Sequence, residues 1–60
     1  MTRDEETLAV ALLVKKEHGA RASVYVAEQI GAQVIAGDQA GVARWQEIAS
    51  ALAPLLKKSH

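Results

Sequence analysis

GDQAGVARWQEIA, residues 37 to 49, decides how this chain folds. Gly37 ends an apolar stretch and Asp38 begins another, so the pair reads as a left-handed C′ position followed at once by an N-cap. A connection this short turns the chain back on itself and makes the two flanking helices antiparallel neighbours. Downstream, Gly41, Trp45, Ile48, Ala49, Leu52, Leu55 and Leu56 recur at three- and four-residue spacing and share one face. Arg44, Glu47, Ser50 and Ala51 lie largely elsewhere on that wheel. This third helix is expected from Gln39 to Ala53 or to Leu56. Pro54 leaves its end open: it removes the bond to the Ser50 carbonyl, yet lies opposite the apolar face, where a kink toward water is tolerable.

Residues 21 to 36, RASVYVAEQIGAQVIA, form the second helix. Val24, Ala27, Ile30, Gly31, Val34 and Ile35 fall on one arc, and Ser23 is a candidate N-terminal cap. Gly31 lies inside that arc. An exposed glycine there costs up to about 1 kcal/mol relative to alanine, so its presence predicts a neighbouring backbone passing close by.

The first helix is expected over residues 5 to 18. Thr2 and Glu5 have the spacing of a capping box, and Asp4, Glu5 and Glu6 suit the positive end of the helix dipole. Lys15, Lys16 and His18 suit the negative end before Gly19. Between them the run LAVALLV, residues 8 to 14, covers almost the whole circumference. Leu8 and Leu12 lie on one side, Leu13 on another, and Val10 and Val14 near the opposite side. Three helices cannot easily cover every face of a peripheral one; either some of these residues are exposed or a second subunit covers them. A buried strand is the alternative for this run, and the strongly helical flanks argue against it.

The fold class that follows is all-α: a compact three-helix up-down-up protomer with a tight hairpin between the second and third helices, completed by self-association. Residues 1 to 60 make one small helical domain. At this length only about 60% of the extended chain's surface is buried on folding. With no cysteine, no disulfide staples it, which leaves efficient helix packing and oligomerisation as remedies. Tyr25 and Trp45 are the only aromatics, so the core has to come from Leu, Val, Ile and Ala. Trp45 is the expected anchor, with Leu8, Leu12, Val24, Ile30, Val34, Ile48 and Leu52 forming the core or its extension across a dimer.

Little in the sequence points to chemistry. The glycines at 31, 37 and 41 reproduce no phosphate-binding loop. HExxH is absent, and His18 and His60 would need carboxylates to complete a metal site. Asp38 is the best placed carboxylate, and its cap role already accounts for it. We therefore expect no enzyme, no catalytic or metal residues and no cofactor.

Lys and Arg equal Asp and Glu at 7 each, which counts against a polyanion as the default partner. A helix-turn-helix reading would present Gln39, Arg44, Gln46, Glu47 and Ser50 to a major groove, a thin set in which Glu47 repels phosphate. The longest apolar run is far short of a membrane span, and it follows TRDEE rather than a basic leader. A cytoplasmic protein with no membrane partner is the expectation.

An up-down-up topology nevertheless gathers Lys15, Lys16, His18, Arg21, Lys57 and Lys58 at one pole, with Asp4, Glu5, Glu6 and Asp38 at the other. Helix-dipole stabilisation explains this placement, and docking of an anion or an acidic partner is the sharper reading. Leu8, Val10, Leu13 and Val14 of the first helix, together with that basic set, make up the candidate interaction surface.

Several short words occur in a fixed order: EHG at 17 to 19, AEQI at 27 to 30, GD at 37 and 38, Gly41, Trp45 and EIA at 47 to 49. In this the chain resembles a family of small, uncharacterised helical alphaproteobacterial proteins of unknown function. AEQI departs from the AERI form of that family by placing Gln29 where a cation stands. The resemblance implies no activity. The GD corner is also similar to a single tetratricopeptide hairpin, but no second repeat is present.

The functional expectation is a small helical protein-protein interaction module that self-associates, a homodimer first. An unidentified protein partner in an antitoxin-like pair and a small nucleic-acid-binding regulator are the alternatives.

Overall fold

The computed structural model describes residues 3–57. It is all-α: α1 spans Arg3–His18, α2 spans Ala22–Ala36 and α3 spans Gln39–Lys57, with a single 3-10 turn, Gly19–Arg21, between α1 and α2. Thr2 of the expected capping box, Lys58 of the basic pole and His60 lie outside the described residues.

The α2–α3 corner forms as its sequence dictates. Gly37 takes the left-handed conformation, φ 74°, that a Cβ would oppose. Its N–H donates to the Val34 carbonyl at 3.1 Å while the Asp38 N–H donates to the Gln33 carbonyl at 2.9 Å. That pair of bonds is the Schellman arrangement, which satisfies carbonyls left over at the end of α2. Asp38 then caps α3: its Oδ1 accepts from the Gly41 N–H at 2.9 Å. The glycine at 41 is part of the same device. A Cβ built there would lie 2.6 Å from Asp38 Oδ2 and 2.7 Å from Gln33 Oε1, inside the space the capping carboxylate occupies.

At the first corner Gly19 is also left-handed, φ 55°, as expected of a residue following the cationic last turn of α1. The start of α2 differs from expectation. No side chain caps it, and Ser23 lies within its first turn; the Ala22 N–H instead donates to the Gly19 carbonyl through the 3-10 turn. That turn supplies the hydrogen bonds a cap would have supplied.

α1 and α2 each pack extensively on α3 and only sparingly on one another, so α3 is the central element. The molecule measures 35 × 27 × 16 Å. Its thin dimension is less than two helix diameters of about 10–12 Å, so no side chain lies far from a surface. The core consists of Ala11 and Val14 from α1, Ala22 and Val26 from α2, and Ile48 and Leu52 from α3. Val10, Tyr25, Ile30, Trp45, Ala49, Ala51, Leu55 and Leu56 pack around it, partly buried. On α3 this is the expected face, widened to Ala51, which was expected largely elsewhere on the wheel.

On the other two helices the inward face is rotated from the one the large apolar residues suggested. α1 packs through Thr7, Ala11 and Val14, leaving Leu8, Leu12 and Leu13 exposed. α2 packs through Ala22 and Val26, leaving Val24, Val34 and Ile35 exposed. The physical reason is closeness: an alanine at the contact lets backbones approach and bury more of their neighbours than a leucine ridge standing between them. Gly31 belongs to the outward arc, with open space where its Cβ would be, so no backbone passes close to it. Pro54 does not end α3, which continues through it to Lys57 with the proline exposed.

Because the cap and Gly41 share one space, their substitutions are coupled. Asp38→Ala is expected to lower stability by about 1 kcal/mol. Gly41→Ala gains about 1 kcal/mol of helix propensity but displaces the capping carboxylate, so its net effect is close to zero. In the Gly41→Ala background Asp38→Ala then costs less than half its single-variant value, by urea denaturation of all four chains; strict additivity would separate Gly41 from the cap.

Candidate functional site

Three features of the surface bear on function. The first is a polar clasp between α1 and α3. Arg3 places Nη2 at 2.9 Å and Nε at 3.2 Å from the two carboxylate oxygens of Glu47, a two-pronged pairing. Arg44 donates to the Thr7 hydroxyl and, at 3.3 Å, to Glu47. Thr7, although polar, is only 7% exposed, and its hydroxyl also donates to the Arg3 carbonyl at 2.9 Å. Each of the four side chains of the clasp thus has a polar partner within it. Arg44 and Glu47 were expected on a face turned elsewhere; they are half-buried against α1 instead. Arg3 and Glu47 are 69% and 41% exposed at their side chains, so this ion pair fixes register more than it adds stability.

The clasp also positions the acidic start of α1. Arg3 meets the middle of α3 at Glu47, so Asp4, Glu5 and Glu6 stand beside that part of α3 rather than beside Asp38. At the opposite end the expected convergence occurs. Lys15 Nζ donates to the Leu55 carbonyl at 3.3 Å, which answers a carbonyl in the last turn of α3 and sets a positive charge at the negative end of its dipole. Lys16, Arg21 and Lys57 are exposed around it. His18 is half-buried and stacks on Tyr25, with ring centroids 3.9 Å apart and planes 14° from parallel. Tyr25 in turn meets Trp45 edge-on, at 6.0 Å and 79°. The three rings link the end of α1, the first turn of α2 and the middle of α3 through contacts the spacing of His18, Tyr25 and Trp45 in sequence did not signal.

The third feature is apolar. Among the expected surface residues of α1, Leu13 is exposed and Val10 half-buried, while Val14 lies in the protomer core and is removed from the set. Leu8 and Leu12, expected in the core, are exposed one turn apart and form a ridge. On the far side of the hairpin runs a groove of about 160 Å³ lined by Ser23, Val26, Ala27 and Ile30 of α2 and by Ala49, Leu52, Ala53 and Leu56 of α3. No α1 residue lines it. Small side chains at 23, 27, 49 and 53 create the space.

Residues 3–60 match the model of DUF6961, a family of unknown function. The chain belongs to that family. No curated protein and no solved structure matches it. Among the described residues no group of three His, Cys, Asp or Glu side chains is placed to hold a metal ion, and no helix is long and apolar enough to cross a membrane.

Trp45 is half-buried rather than enclosed, and its ring gains an edge contact with Tyr25. Trp45→Ala is therefore expected to cost about 2 kcal/mol, below the 3–5 kcal/mol of a fully enclosed ring. Trp45→Phe, which keeps an edge contact, is expected to cost under about 1.5 kcal/mol. Chemical denaturation followed by far-ultraviolet circular dichroism reads both; equal losses would remove the aromatic contact from the account.

Proposed function

We propose that this chain is a non-enzymatic helical interaction module that self-associates as a homodimer. One observation carries the reading. Outside the protomer stand six large apolar side chains, Leu8, Leu12, Leu13, Val24, Val34 and Ile35, the last 89% exposed. Inside, the buried apolar residues larger than alanine are Val14, Val26, Ile48 and Leu52. Each of the six outer groups keeps from 43% to 89% of its surface in water, so a second surface that covers it adds part of the roughly 1.5–3 kcal/mol that full burial of such a side chain contributes. Zero net charge lets two copies meet without net repulsion.

The basic pole supports a nucleic-acid reading less well. Lys15 is engaged with the end of α3, and Arg44, the one cation of the α3 set, is engaged with Thr7 and Glu47, which takes the strongest candidate contact of α3 away from a groove. We place the protein in the cytoplasm of an alphaproteobacterium; the cysteine-free sequence and the family resemblance support that setting.

Sedimentation equilibrium over a concentration series tests the proposal. The expected mass rises from that of one 6.4 kDa chain toward twice that value. A constant monomer mass up to high concentration would refute self-association and turn attention to a heteromeric partner on the same faces.

A further inference from the structure

The ridge and the groove belong to the same chain and match one another. The geometry points to a dimer in which Leu8 and Leu12 of one copy's α1 lie in the α2–α3 groove of the other, antiparallel to its α3, with Leu8 against Ala53 and Leu12 against Ala49. This deepens the self-association reading and rests on it.

Size supports the pairing first. A dry engineered cavity of about 150 Å³ accepts a benzene-sized group, so a groove of about 160 Å³ accepts a leucine side chain with room at its open mouth. Ser23 alone among the lining residues is polar. Length agrees as well. Residues 23 to 30 of α2 flank the groove over about 10 Å, two turns of helix, which spans Leu8 and Leu12, themselves one turn apart.

Charge then selects the direction. Asp4 lies one turn before Leu8, and Lys57 lies one turn after Ala53. With Leu8 on Ala53, an antiparallel α1 brings Asp4 to Lys57; a parallel α1 would bring Asp4 beside Ala49, where Glu47 is the charged residue within a turn on α3 and no Lys or Arg answers it. Symmetry completes the argument. A two-fold pair seats both ridges in both grooves, whereas a one-way contact leaves a ridge and a groove open and continues into filaments. The occupant of each groove is thus the α1 of a second copy.

The native sequence has no cysteine, so introduced thiols report without background. Full-length Leu8→Cys and Ala53→Cys chains are mixed under mild oxidation, with each variant alone as a control and helicity monitored throughout. The expected result is a disulfide-linked mixed dimer in clear excess over either variant alone. Leu8→Cys alone linking as well as the mixture would set α1 against α1 and overturn the register. A dimeric mass without a mixed cross-link overturns it too. A second variant, Ala53→Leu, fills the groove from within at an exposed position and is expected to weaken dimerisation by roughly tenfold or more while leaving the protomer helical; unchanged dimerisation overturns the groove as the docking site. A monomeric mass for the unsubstituted chain at every concentration instead refutes self-association itself, so the two failures are distinct.

Discussion

Gly37 holds its backbone where a Cβ would be strained, and the contacts between α2 and α3 depend on that one residue. Its N–H and that of Asp38 close the end of α2, the Asp38 carboxylate opens α3, and Gly41 leaves room for that carboxylate. Helix termination, reversal and initiation are thereby compressed into two residues outside any helix. Because α3 packs against both other helices, a change in this corner's geometry shifts the platform on which α1 rests as well.

The packing on that platform is governed by small residues. Ala11 and Ala22 are completely buried, while Leu8, Leu12 and Leu13 of α1 and Val24 and Val34 of α2 are exposed. With a body 16 Å thin, adding large side chains to the interhelical seam would push the helices apart without creating depth to bury them. Close approach gives a specific protomer and leaves apolar edges. The clasp of Arg3, Thr7, Arg44 and Glu47 then fixes how α1 lies on α3, because rotating α1 to bury Leu8 and Leu12 would carry Thr7 away from Arg44.

This is also why some of the structure was legible in the sequence and some was not. Corners are local: Gly19, Gly37 and Asp38 act through bonds within a few residues of themselves, and each stands where its chemistry suggested. The face of α3 was legible because its apolar stripe is both continuous and narrow. α1 and α2 offer apolar residues on several sides, so hydrophobicity alone does not set their rotation; contacts from α3 do. Val14 and Leu8 exchanged their expected places for that reason, and Gly31 proved open rather than crowded. Of the candidate surface, Lys15 could be placed from helix polarity, whereas the stack of His18, Tyr25 and Trp45 needed the three-dimensional arrangement to bring it together.

The exposed apolar edges and the thin core are two consequences of one arrangement, which ties folding to association on the proposed pairing. A partner that binds only the folded chain adds stability by mass action, about 2.7 kcal/mol when present at a hundred times its dissociation constant. For a protomer this small that increment is a large share of the 5–15 kcal/mol typical of domains. On that pairing a second copy would add a layer over the ridge and the groove. Small residues at 27, 49 and 53 admit close approach of α2 to α3 within the chain and leave the open groove between them, so one choice of side chain sets both the protomer's seam and its apolar surface.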